Sequence, residues 1–186
     1  MKAIGTSESM PISADILTSD LLHQPGQIAM TMAPGKQDEE ADFLWHRDLQ
    51  VDLKRLRTYY GVKRLVCLLE TEELCALGIP ELFAEAEALG ISTEHLPIAD
   101  DSLPKSIAAF SALVHKLVNA VRSGETVLIH CKGGRGRTGM MAAACLVQLD
   151  YSPQDAIATV QQVRSGALSS AKQRDFIRQF KDSLNS

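Results

Sequence analysis

The first fourteen residues, Met1 to Ala14, contain no continuous apolar run and carry a single early lysine among several polar residues. They match neither a secretory signal nor a membrane span, so the chain reads as cytosolic, with no stable membrane insertion. Cysteines are few: Cys67, Cys75, Cys131 and Cys145 lie at irregular spacings, and no Cys/His pair has zinc-type spacing. That argues against a disulfide framework and a structural metal, and no cofactor is expected. Positive charge is not in excess either, since the formal net charge is −4 and the pI about 5.7. A chain so charged has no general attraction to nucleic acid or anionic lipid, and any anion recognition must be built locally. There is no internal repeat and no low-complexity linker.

What is present is enough apolar material, 45% of 186 residues, to bury one substantial core. The expectation is a single domain over residues 1–186, led in by a flexible segment over 1–13. Strand-like and helix-period segments alternate, which is the signature of an α/β fold. Strands are expected at Gln27 to Met32, Lys63 to Leu69, Ile91 to Leu96 and Thr126 to His130, short and rich in β-branched or large apolar residues. Helices are expected at Leu49 to Tyr60, Pro80 to Leu89 and Pro104 to Arg122, each stopped by a following glycine (Gly61, Gly90, Gly124). Three more are expected at Thr138 to Leu149, Pro153 to Val163 and Ser169 to Leu184. The run from Thr138 to Leu149 has almost no charge and reads as a buried helix.

The chemistry concentrates in Val127-Leu-Ile-His-Cys-Lys-Gly-Gly-Arg-Gly-Arg-Thr-Gly139, an apolar strand entering a glycine-rich loop and then a helix. Gly133, Gly134 and Gly136 let the backbone fold tightly so that successive N–H groups turn inward, and the helix adds the positive end of its dipole. Such a cradle suits a tetrahedral dianion. Cys131 opens the loop and Arg137 closes it, so a guanidinium can clamp two phosphate oxygens while sulfur faces phosphorus. Thr138 can add a hydroxyl hydrogen bond, and the N–H groups, arginine and helix dipole favour negative charge on sulfur. A Walker loop is excluded, because lysine and Ser/Thr do not follow the last glycine in the required order.

His-Cys, five residues, then Arg-Thr-Gly resembles the active-site signature of the protein tyrosine and dual-specificity phosphatase superfamily. Asp52-Leu-Lys-Arg-Leu, Leu96-Pro-Ile-Ala-Asp100 and Arg164-Ser-Gly-Ala-Leu are similar to the kinase-associated phosphatase (cyclin-dependent kinase inhibitor 3) branch, and the likeness spans Ala14 to Leu184. The resemblance implies a three-layer αβα fold with a central, mostly parallel sheet, a phosphocysteine intermediate and no metal.

Expelling an alkoxide from a phosphate ester at neutral pH requires an acid. Asp100 is the candidate, with Asp101 its adjacent rival; by resemblance to the family's mobile acid loop, it would protonate the leaving oxygen and then deprotonate the attacking water. The family also implies that His130 supports the nucleophile without serving as its base. Gln173 stands where related phosphatases place a glutamine that positions the hydrolytic water, although an exposed helical glutamine would look the same.

Lys132 and Arg135 add two cations to a loop whose chemistry needs only Arg137. They suit acidic or phosphorylated residues around a phosphotyrosine, phosphoserine or phosphothreonine in a protein, or the extra phosphates of a phosphoinositide or inositol phosphate. The kinase-associated branch has uncharged residues at both positions, and the pattern here resembles the phosphoinositide-phosphatase branch. A silent phosphate-binding adaptor would need the cradle and arginine but not the acid. Cys67 or Cys75 could pair reversibly with Cys131 under oxidation, against an inert packed role for Cys67. Oligomeric state and the preferred phosphoester are open at this level.

Overall fold

The computed structural model describes residues 4–39 and 43–184. In chain order the elements are β1 (Ile4–Thr6), β2 (Asp15–Leu17), α1 (Ser19–Leu22), β3 (Gln27–Thr31), β4 (Gln37–Asp38), β5 (Leu44–His46), α2 (Leu49–Thr58), β6 (Val62–Cys67), α3 (Thr71–Ala76), α4 (Leu82–Ala88), β7 (Ser92–His95), α5 (Ile107–Arg122), β8 (Thr126–His130), α6 (Gly136–Gln148), α7 (Pro153–Val163) and α8 (Ala171–Ser183).

The four expected strands, β3, β6, β7 and β8, run parallel in one sheet of order β2-β3-β8-β6-β7, to which the unexpected β2 adds an edge antiparallel to β3. β8 sits at the centre, hydrogen-bonded on both sides, which suits its unbroken apolar run: Val127 to His130 are all buried. Helices α2 and α4 pack on each other and against β6 and β7, while α6 lies against β3 and β8, surrounded by α5, α7 and α8. The architecture is the three-layer αβα arrangement expected.

Helix α6 is buried from Arg137 to Val147, so its freedom from charge reflects burial on nearly every side. The apolar stripe of α5 turns inward, and Phe110 meets Phe176 and Phe180 of α8 edge-on at 5.2 and 5.5 Å. Ser106 caps α5 by accepting from the Ala109 N–H at 3.1 Å. Gly61, Gly90 and Gly124 follow their helices with φ of 67°, 70° and 86°, the left-handed conformation that ends a helix.

Residues 4–13, expected to be a flexible lead-in, are instead part of the body. Ile4 to Thr6 pair in parallel with β5 in a second sheet of order β1-β5-β4, and Ile12 is 1% exposed. Two arginines satisfy this segment's carbonyls, Arg47 Nη1 donating to Met10 O and Arg55 Nε to Ile12 O, each at 2.9 Å. Residues 1–3 lie outside the described residues. Among the described residues no helix is long and apolar enough to cross a membrane.

Candidate active site

The loop from Cys131 to Arg135 joins the end of β8 to the start of α6. It therefore lies at the carboxyl end of the parallel strands, where such sheets place their ligands. Gly134 has φ +69°, and a Cβ there would stand 2.1 Å from the Thr31 carbonyl oxygen, so only glycine fits. Arg164 holds the loop from outside: its Nη2 donates to Gly133 O at 3.1 Å, its Nε donates to Gly134 O, and its Nη1 pairs with Asp15 at 2.7 Å. Peptide planarity opposes each carbonyl to the following N–H. Two carbonyls turned out toward Arg164 thus turn the N–H groups of Gly134 and Arg135 toward the cavity.

That cavity, of about 350 Å³, is lined by Cys131, Lys132, Arg135, Arg137, Asp100 and Gln173 among others. The structure thus brings together residues that the sequence separates by more than seventy positions. Arg137 is 1% exposed and its guanidinium is heavily restrained. Nη1 and Nη2 donate to the two carboxylate oxygens of Glu73 at 2.6 and 2.9 Å, and Nη1 also donates to Ile98 O at 2.8 Å. Its buried Nε has no partner among the described residues, leaving a donor for an incoming oxygen. Glu73 also accepts from the Glu70 N–H at 2.9 Å in a capping box that starts α3. Burial pushes the Glu73 carboxyl up, but the hydrogen bonds from Arg137 and the Glu70 N–H outweigh it and hold the group below its ordinary range.

The two candidate acids separate clearly. Asp100 Oδ1 lies 3.0 Å from Arg137 Nη2. Asp101 adopts φ +45° and turns to Lys172 of α8, 3.3 Å away. Gln173 is not an exposed helical glutamine: it is 1% exposed, lines the cavity and donates to Ser102 O, in the loop that carries Asp100, at 3.4 Å. Its Oε1 has no partner among the described residues. A Cβ on Gly136 would approach that oxygen to 3.1 Å, so this glycine makes room for the glutamine. His130 is fully buried with Nδ1 3.4 Å from Cys131 O, and burial pushes its imidazole down to about 4, so it is neutral at physiological pH. Thr138 is buried with its hydroxyl unpartnered among the described residues.

Four contributors escaped the sequence reading. Glu73 and Arg164 hold the cradle; Lys36 and Asp38 form part of the cavity wall. Asp38 lies 3.6 Å from Lys36 Nζ and 3.5 Å from Lys132 Nζ. Glu73 left a trace in the acidic run Glu70-Thr-Glu-Glu73 after an apolar strand, which is a helix-start pattern. Cys67 is buried at the end of β6, in register with His130, and burial pushes its thiol up to about 12; Cys75 is exposed on α3.

This sheet, this loop and the arginine that closes it define the protein tyrosine and dual-specificity phosphatase fold class. A solved structure of kinase-associated phosphatase, with serine replacing its catalytic-site cysteine, superposes with a TM-score of 0.85 at 28% identity, covering 95% of this chain and 98% of that one. The family described as cyclin-dependent kinase inhibitor 3 matches residues 8–162, and the chain belongs to that family. The human cyclin-dependent kinase inhibitor 3 is 29% identical over 180 residues, 95% of this chain and 82% of its own length. The mouse protein is 33% identical over 140 residues, 74% of this chain and 65% of its own length.

Proposed function

We propose that the chain is a metal-independent phosphomonoester phosphatase working through a phosphocysteine at Cys131. The observation that carries this reading is that Cys131, Arg137 and Asp100 face one cavity, with the guanidinium already fixed by Glu73. Arg137 and the inward N–H groups hold the non-bridging phosphoryl oxygens. The Cys131 sulfur attacks phosphorus, the S–P bond forms as the ester P–O bond breaks, and Asp100 gives its proton to the departing oxygen. Water held by Gln173 then attacks phosphorus and loses a proton to Asp100. The S–P bond breaks, the Thr138 hydroxyl donates to the released sulfur, and inorganic phosphate leaves. Every group needed for both halves belongs to this chain.

The name of the kinase-associated phosphatase supports a phosphoprotein as substrate, and we take its phosphate to be carried on tyrosine, serine or threonine. A specific observation favours a second reading, an inositol phosphate or phosphoinositide: Lys36, Lys132 and Arg135 all line the nucleophile's cavity. The test is phosphate release by the purified protein, with chelator and reductant, from an aryl phosphate, phosphopeptides and soluble inositol phosphates, beside Cys131→Ser. Turnover that Cys131→Ser abolishes is the expected result. Binding without hydrolysis would replace the enzyme with a phosphate-binding adaptor.

A further inference from the structure

We propose that Lys36 and Lys132, bridged by Asp38, form a subsite for a second phosphate carried on the same molecule as the phosphate attacked by Cys131. The ligand class is a compact polyol bearing neighbouring phosphates, either free or as a lipid headgroup. This rests on the phosphatase reading above and deepens its substrate class.

Two ammonium groups share one carboxylate, so one positive charge at this wall has no counter-charge within the trio. Both separations, 3.6 and 3.5 Å, exceed those of tight charged hydrogen bonds, and each ammonium keeps donors to spare. The acids on the cavity's other side are already engaged, Asp100 by Arg137 and Asp101 by Lys172. Glu73, whose charge also reaches Lys132, is itself held by Arg137, so among the described residues an arriving anion meets two cations that share the one carboxylate of Asp38.

Lys36 is 5% exposed, an expensive place for a lysine. Burial pushes its ammonium below the ordinary lysine range, and Asp38 offsets only part of that. Its ammonium lies 5.2 Å from the Trp45 ring centre, which fixes the side chain's course. A lysine serving solubility would lie in water. This one is recessed in the wall of the Cys131 cavity, where low dielectric strengthens its attraction for anions.

Depth decides the scaffold. Because the cations share a cavity of about 350 Å³ with the nucleophile, both phosphates must enter together. A small ring with adjacent phosphates does this; a peptide whose phosphates are strung along its backbone would instead need cations on the surrounding surface.

The experiment compares kcat/KM for soluble inositol bisphosphates with neighbouring phosphates, inositol monophosphate, an aryl phosphate, a doubly phosphorylated peptide, and phosphatidylcholine vesicles carrying phosphatidylinositol bisphosphate. Wild type should favour bisphosphate over monophosphate by roughly tenfold or more, the scale of one charged contact. In Lys36→Met that ratio should collapse toward one in protein that circular dichroism shows to be folded, Lys132 remaining as a partner for the buried Asp38. In Asp38→Asn it should rise, because a competing negative charge is gone; a merely structural Asp38 would lower it. The soluble and vesicle arms separate a free polyol phosphate from a lipid headgroup.

A ratio near one in wild type, a ratio untouched in folded Lys36→Met, or a preference for the doubly phosphorylated peptide would overturn the subsite. Failure to hydrolyse even the aryl phosphate would instead sink the phosphatase reading. The subsite is then judged by calorimetric titration of Cys131→Ser protein with the bisphosphate and the monophosphate, where equal affinities reject it.

Discussion

Both guanidinium nitrogens of Arg137 that could swing are held by the two carboxylate oxygens of Glu73, at 2.6 and 2.9 Å. The fork is fixed before any phosphate arrives, so little orientational freedom remains to be lost on binding. Replacing Glu73 by Gln removes one charge-assisted acceptor and should lower kcat/KM for an aryl phosphate by roughly 10- to 100-fold, the scale of 1.5–3 kcal/mol per such bond. Steady-state kinetics at several pH values checks this. Arg137→Lys, which keeps charge but loses the planar fork, should fall further.

Asp100 stands at the cradle while Asp101 is turned toward Lys172. Asp100→Asn should therefore reduce kcat on substrates with poor leaving groups by about 10² to 10⁴ and flatten the alkaline limb of the pH–rate profile. Asp101→Asn should leave that limb in place. The opposite pattern would transfer the acid's role to Asp101.

At Gly134 two costs coincide, a left-handed φ of +69° and a Cβ that would lie 2.1 Å from the Thr31 carbonyl oxygen. Gly134→Ala must displace the loop backbone and should cost at least about 100-fold in kcat/KM, since misplacing reacting groups by about 1 Å has that effect. Gly133→Ala, whose Cβ would meet nothing within 4 Å, should lose less. Paired kinetics of the two variants measures the difference.

Acid should destabilise the fold in a defined window. The folded His130 imidazole sits at about 4, below its ordinary value, so between pH 6.5 and 4 the unfolded chain binds the extra proton. Stability is thus fully present above pH 6.5 and is lost as pH falls through that interval, by about 3 kcal/mol at most. Glu73, also held below its ordinary value, extends the loss in the same direction as pH falls through its folded value. Urea midpoints should drop from pH 7 to pH 4, and less steeply in His130→Gln than in wild type.

The Cys131 loop was legible because its parts are contiguous: strand, cysteine, glycines, arginine and helix follow one another from Val127 to Gly139. The buried character of α6 showed in its lack of charge, and the central strands in their apolar runs. What was not legible depends on contacts between distant segments. Glu73 reaches Arg137 across 64 positions, Arg164 reaches Gly133 across 31, and Lys36 meets Lys132 through Asp38 only once the short β1-β5-β4 sheet is folded. Strands of two or three residues carry no period to read. Gln173 was singled out only by the family resemblance and not by its surroundings, because burial of one polar side chain leaves no mark in the residues around it.

The most direct measurement is acid quench of the enzyme during turnover of an aryl phosphate, with chelator present, followed by mass mapping of the Cys131 peptide. The account predicts a phosphoryl group on Cys131 that builds up in Gln173→Ala, where water attack is slowed, and is absent from Cys131→Ser, which releases no phosphate. Undiminished phosphate release by Cys131→Ser would contradict it.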